Sequence, residues 1–217
     1  MKILLFIPVY NCEKQIKKVI FSLSDKWLDL IDEVLIIDNR STDKTIDIIK
    51  ASIKKIKFKN IKIFKNINNI NLGGSHKVAF QYASRKNYDK VLVLHGDDQA
   101  NIDDIYPICK SLNYNNDISY LGSRFMKGSH LVNYSKIRTI GNIVFNFIFS
   151  FIALKKISDL GSGLNLFDVK KIDFNYLKNM PNDLTFNYIL ILYVTKHEVP
   201  YKFFPISWRE EDQISNM

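Results

Sequence analysis

The chain has 217 residues, a hydrophobic fraction of 47% and a formal net charge of +9. That length and apolar content suit one α/β domain with its own core and exclude a disordered chain. No unbroken 18-residue apolar run occurs, so no membrane span is expected, and Pro8 and Asn11 cut the first apolar run too short for a signal peptide.

Ile3–Val9 is a predicted buried strand that closes around Pro8. Asn11 is placed to cap a helix running to about Ser24. Val34–Ile37 is a second strand. Ser41 or Thr42 caps a helix over Asp43–Ser52, with Asp43 in the first turn, where negative charge suits the helix dipole. Ile61–Phe64 is a short third strand, Gly73-Gly74 opens a helix carrying Val78, Ala79 and Tyr82, and Lys90–Leu94 is the fourth strand. Strand and helix alternate, which predicts a mostly parallel sheet with right-handed crossovers. Ile118–Gly122 is a further strand leading into Ser123-Arg124. Lys136–Leu154 is a long helix that is apolar on more than one face. A buried core helix is the expectation, because Asn142 and Asn146 share a face and no Trp flanks the segment; contact with a membrane surface is the alternative. Asp159–Gly163 is a turn, Asp183–Lys196 a helix, and Val199–Ile206 a strand interrupted by Pro200 and Pro205. No repeat or linker divides the chain.

The most informative stretch runs from Val91 to Gln99. A β-branched strand stops abruptly at His95-Gly96-Asp97-Asp98-Gln99. Asp97 and Gln99 are two residues apart, so an extended backbone projects them to one side. Oxygen donors of this type suit a hard divalent cation, Mg²⁺ or Mn²⁺, which is most useful where a diphosphate is held. In parallel sheets ligands sit beyond the carboxyl ends of the strands. Tyr10-Asn11, Asp38-Asn39 and residues 95–99 all fall there. The surplus of positive charge is concentrated between Lys50 and Lys65, which reads as a solvated lysine-rich surface, with an anionic partner as the alternative. No nucleic-acid module signature is present, and no nucleic-acid partner is expected. Cys12 and Cys109 stand alone, without metal spacing, which suits a reducing cytoplasmic setting.

The set Pro8-Val9-Tyr10-Asn11, Asp38 to Thr45, Asn71-Leu72-Gly73-Gly74 and His95 to Gln99 resembles a family 2 glycosyltransferase of the GT-A fold. Gly122-Ser123-Arg124, Asp159–Gly163 and Pro205–Arg209 resemble its polyprenyl-phosphate sugar transferase branch. The resemblance implies one domain, 1–217, with a nucleotide-sugar-binding half (1–99) and an acceptor-binding half (100–217). It implies inverting, metal-dependent transfer from a UDP or GDP sugar to a lipid phosphate or a glycan precursor, at the cytoplasmic face of the membrane. Pro8, Tyr10, Asn11, Asp38, Asn71, Gly73 and Asp97 would then hold the nucleotide, Asp97 and Gln99 the Mn²⁺ or Mg²⁺, and Arg124, Arg138 and Arg209 an acceptor phosphate. Asp159, with Asp97, would be catalytic, as a base or a sugar-orienting carboxylate. Several of these residues have a plainer reading beside it: Asn11 as a cap, Asn71 and Gly73 as a helix start, Asp159 as a turn residue, and each arginine as solvated surface. Two positions depart from the family pattern. His95 stands where the metal motif has its first aspartate, and Asn39 replaces the second aspartate of an Asp-Asp pair. A nucleotidyltransferase is disfavoured because Pro8-Val9-Tyr10-Asn11 stands where that class carries a basic, glycine-rich loop. A non-catalytic basic binding module is the third reading.

Overall fold

The computed structural model describes residues 1–113, 116–197 and 199–211. In chain order its elements are β1 (Ile3–Val9), α1 (Ile16–Phe21), β2 (Glu33–Asp38), α2 (Thr45–Ile53), β3 (Ile61–Lys65), α3 (Asn71–Arg85), β4 (Lys90–Leu94), α4 (Tyr106–Ser111), β5 (Ser119–Ser123), β6 (His130–Val132), α5 (Lys136–Ala153), β7 (Leu164–Asp168), α6 (Phe174–Asn179), α7 (Thr185–Lys196), β8 (Tyr201–Pro205) and β9 (Ser207–Arg209).

β1 is buried along its whole length because it separates two helical layers. Its odd residues Ile3, Leu5 and Ile7 pack with Ile16, Val19 and Ile20 of α1, Ile49 of α2 and Trp27. Its even residues Leu4 and Phe6 pack with Ala79, Phe80 and Ala83 of α3 and with Phe186 and Leu190 of α7. Period-2 alternation thus serves two cores at once, and the strand reads as continuously apolar. The main sheet has seven strands in the order β3-β2-β1-β4-β7-β5-β8. β3, β2, β1 and β4 are mutually parallel. β7 enters antiparallel between β4 and β5, and β8 runs parallel to β5. A separate ribbon pairs β6 with β9.

The antiparallel insertion is pinned by charge. Lys90 and Asp168 lie directly opposite each other across β4 and β7. Both are buried, with Nζ 2.8 Å from Asp168 Oδ2 and donating to the Ile118 carbonyl at 2.9 Å. A one-residue slip would leave a charge buried without its partner, so the pair specifies register.

Several expectations are corrected. α1 starts at Ile16, not after Asn11. Asn11 has φ +48°, and its side-chain oxygen accepts from the Thr42 amide at 2.8 Å, so it ties two loops together instead of capping its own helix. α2 starts at Thr45, because Ser41 Oγ accepts from the Asn11 amide and Asp43 accepts from the Thr45 amide in a turn ahead of the helix. β6, β7, β9, α4 and α6 were not anticipated. The largest correction is α5. Of its eighteen residues only Asn146 is buried. By length and composition it is long and apolar enough to cross a membrane, contrary to the expectation that no such segment exists. The Asn face does turn inward, but onto polar loop backbone, and most apolar residues turn out, while Phe149 and Ala153 pack on the core.

Candidate functional site

The carboxyl ends of β1, β2 and β4 converge, as the strand pattern requires. Asp38 ends β2 and is fully buried. One carboxylate oxygen accepts from the Ser41 amide at 3.1 Å. Its other oxygen, Oδ2, is buried with no hydrogen-bond partner among the described residues. A buried unsatisfied acceptor is costly unless something completes it. A ligand N–H is a chemically apt partner there. Tyr10 stands half-exposed at the end of β1.

Asn39 is the hub of the neighbouring loop. Its Oδ1 accepts from Asn66 Nδ2 at 3.0 Å and from the Ile70 amide at 2.9 Å, while its Nδ2 donates to Asn69 Oδ1 at 2.7 Å. An aspartate could make the two accepting bonds but not the donating one. The replacement of a charge by an amide at this position therefore has a local structural reason. Asn71 follows with φ +57°. Gly73 does not open toward a cleft. Its amide donates to the Asn182 carbonyl at 2.6 Å, and a Cβ would lie 2.6 Å from Phe186 Cβ and 2.7 Å from the Pro181 carbonyl. The glycine serves close helix–loop packing.

In the turn after β4, Asp97 Oδ1 accepts from the Gln99 amide at 3.2 Å, and both side chains are partly exposed. Asp98 points the other way, is buried, and adopts φ +59°. Arg209 meets it, donating from Nε to the Asp98 carbonyl at 2.7 Å and pairing with its carboxylate. Asp98 is thus bound by the protein and shielded from solvent. His95 packs against Gly163, where a Cβ would sit 2.8 Å from Nδ1, and edge-on to His76 at 5.9 Å between ring centroids. Burial holds the imidazole of His95 below its usual pKa against the pull of Asp97. Burial, with His95 adding to it, lowers that of His76 to about 3. Both rings are neutral, and His95 Nε2 is buried without a partner among the described residues.

Among the described residues no three His, Cys, Asp or Glu side chains cluster as a metal cage. Asp97 and Gln99 offer one carboxylate and one amide oxygen. That set fits Mg²⁺ or Mn²⁺ bound in the manner of nucleotide sites, where one or two side chains suffice and diphosphate oxygens and water complete the shell.

The three candidate phosphate arginines each hold a carboxylate. Arg124 binds Asp159 through its amide (2.9 Å), Nε (2.8 Å) and Nη2 (2.9 Å), and the Gly161 amide takes a further bond to Asp159 Oδ1. Both partners are buried, and the guanidinium stacks near Phe125 (4.9 Å) and Trp208 (5.1 Å). Burial acts to lower the Arg124 pKa, but the bonds and charge of Asp159 outweigh it and leave it raised. Gly161 is required beneath it, since a Cβ would meet Nη2 at 2.7 Å. Arg138 donates to both oxygens of Glu210 at 2.7 Å, and Arg209 holds Asp98. Asp159 and Arg124 therefore engage each other, leaving neither a free base nor a free phosphate ligand. The contribution of β9, through Trp208 and Arg209, was not legible as a clamp on the acidic turn, because nothing local marks a contact across more than a hundred residues.

Sequence and fold comparisons bear on the family. The chain is 26% identical over 175 residues to the UDP-N-acetylglucosamine–dolichyl-phosphate N-acetylglucosaminyltransferase of Methanococcus voltae, covering 76% of this chain and 68% of that one. Its fold superposes on S. aureus TarS in complex with UDP-GlcNAc with a TM-score of 0.65 at 16% identity, covering 99% of this chain and 60% of that one. It also superposes on Mycobacterium tuberculosis glucosyl-3-phosphoglycerate synthase in complex with Mn²⁺, UDP and glucosyl-3-phosphoglycerate. There the TM-score is 0.62 at 15% identity, covering 97% and 73%. The chain thus spans less than two thirds of the TarS structure. The profile described as glycosyl transferase family 2 matches residues 5–174. A GT-A sheet, an acidic turn at the end of β4 and a family match over most of its length agree: the chain belongs to glycosyl transferase family 2.

Proposed function

We propose that this glycosyltransferase moves a sugar, with inversion, from a UDP or GDP sugar to a polyprenyl-phosphate acceptor at the surface of an anionic membrane. UDP is favoured, since the names of the M. voltae relative and of both superposed structures carry it. The observation that carries the acceptor reading is α5, which is built inside out. Arg138, Asn142, Asn146 and Ser150 recur every four residues and so share one face. Asn142 donates to Tyr134, Asn146 bonds the Ser158 carbonyl and the Leu160 amide, and Ser150 bonds Ile157. The remaining faces expose Ile137 (83%), Phe147 (71%) and Phe151 (74%). Exposed apolar surface of this extent marks an interaction site. Lys136 opens the helix, Lys155 and Lys156 follow its end, and no acidic residue lies between positions 136 and 156. Apolar faces between basic ends suit a helix lying in the plane of an anionic bilayer. The polar stripe bonds the loop that carries Asp159, which supports an acceptor site next to the lipid surface in this reading.

In this reading Asp38 accepts a hydrogen bond from the base, with Tyr10 beside it. Asp97 and Gln99 would hold a divalent cation, Mn²⁺ or Mg²⁺, whose charge offsets that of the departing diphosphate. The acceptor phosphate oxygen bonds the anomeric carbon as the bond to the diphosphate breaks. A phosphate is already ionised and needs no general base, consistent with Asp159 being committed to Arg124. A sugar hydroxyl acceptor would need one. The unpaired, buried Cys12 and Cys109 support a cytoplasmic location for this chemistry.

Two measurements test the proposal. Asp38→Ala is expected to weaken UDP binding by about 1–3 kcal/mol, the scale of a lost hydrogen bond to a charged group. Calorimetry giving equal affinity counts against the donor assignment. Phe147→Asp with Phe151→Asp is expected to reduce flotation with phosphatidylglycerol vesicles by roughly 10²-fold or more, since each buried aromatic contributes about 1.5–3 kcal/mol. The same double variant should fold normally. Undiminished flotation, or transfer of labelled sugar only to soluble glycans, refutes the lipid reading.

A further inference from the structure

Three contacts tie Arg209 to two consecutive residues of the acidic turn. Its amide donates to the Gln99 carbonyl at 2.9 Å, its Nε to the Asp98 carbonyl at 2.7 Å, and its Nη2 pairs with the Asp98 carboxylate. The grip falls on the residue between Asp97 and Gln99. Asp98 sits in the left-handed region at φ +59°, where a residue other than glycine needs outside support. The guanidinium fork supplies that support by holding backbone and side chain of one residue together. Asp98 is buried while its two neighbours stay partly exposed.

β9 is anchored independently of this side chain. The Ser207 amide donates to Asp104 Oδ2 at 2.5 Å, Trp208 bridges to Ala100, and the Glu210 amide donates to the Val132 carbonyl at 3.1 Å. The strand therefore presents Arg209 to the turn from a fixed base, and removal of the guanidinium leaves those anchors in place.

We infer that Arg209 is a positioning residue that holds the 97–99 turn in the conformation from which Asp97 and Gln99 present oxygens to a divalent cation. The inference rests on the donor reading above and replaces acceptor phosphate as the partner of Arg209. The two roles separate experimentally. UDP binding is measured by calorimetry on the full chain with and without Mn²⁺. Arg209→Ala is expected to cut the Mn²⁺-dependent gain in UDP affinity by roughly 10–100-fold, the usual cost of losing a group that orients a metal ligand. Its metal-free UDP affinity should match that of the parent, and acceptor KM should hold while kcat falls. Arg209→Lys keeps the charge without the fork and should recover part of the gain. Asp98→Asn removes the ion pair from the other side and should shift the Mn²⁺ dependence in the same direction, which keeps the test alive if Arg209→Ala does not fold. Mn²⁺-dependent binding equal to the parent in either Arg209→Ala or Asp98→Asn overturns the inference alone. A parent protein that binds no UDP under any condition overturns the donor reading and this inference with it.

Discussion

Asp97→Asn is expected to lower turnover by at least about 10³-fold while leaving the melting temperature within about 2 °C of the parent. The first figure follows from losing electrostatic stabilisation of the leaving diphosphate, worth several kcal/mol, at about 1.36 kcal/mol per tenfold. The second follows because Asp97 is partly exposed and outside the core. Exposed substitutions usually change stability by less than about 0.5 kcal/mol, and 1 kcal/mol moves a domain of this size by about 2–4 °C. The amide keeps size and one acceptor oxygen, so the turn is retained and the charge is what is lost. Mn²⁺-stimulated transfer at parental rates in a folded Asp97→Asn protein would remove Asp97 from the site.

Arg124→Ala is expected to destabilise the fold by about 3–5 kcal/mol, the cost of leaving one member of a buried ion pair without its partner. At about 2–4 °C per kcal/mol this is a fall of roughly 6–20 °C in Tm. Asp159 would lose two bonds, from Nε and Nη2, and retain those from the backbone amides of residue 124 and Gly161, in a site closed to water. Removing both charges with Arg124→Met and Asp159→Leu should recover much of the loss, since an apolar pair of similar volume fills the same space. The comparison also settles the role of the carboxylate. A general base would show in Asp159→Asn as a loss of about 10²–10⁴-fold in rate per folded molecule. A structural partner of Arg124 shows as a lower Tm with rate per folded molecule largely kept. Thermal melts of Arg124→Ala indistinguishable from the parent would refute the buried-pair account.

β1, β2 and β4 were legible because each is a short apolar run fully buried between two layers, and such runs carry their own signal. The convergence of Tyr10, Asp38 and Asp97 followed from parallel topology alone. β7 was not legible. Leu164–Asp168 is a five-residue segment whose alternation breaks off at Leu166-Phe167, and its antiparallel place between β4 and β5 depends on partners far away in the chain. Asn11 was misread because an asparagine before a helix looks the same whether it caps that helix or, as here, binds the Thr42 amide of another loop.

Sequence by itself determined the family, the parallel half of the sheet and the chemistry at its ends, because strand burial and turn chemistry are encoded within a few consecutive residues. Only the tertiary structure decided what the arginines do. Their carboxylate partners lie 35, 72 and 111 residues away, for Arg124, Arg138 and Arg209 respectively. An arginine in a sequence shows its capacity for a planar, two-pronged hydrogen bond but not whether a protein carboxylate already fills it. The same holds for α5. Its pattern specified a helix with one polar stripe, but which stripe faces inward depends on what the helix rests on. Here that support is Tyr188 of α7 together with loop backbone at 157–160, whose carbonyls and amides need the Asn and Ser side chains, so most of the apolar residues are left on the outside.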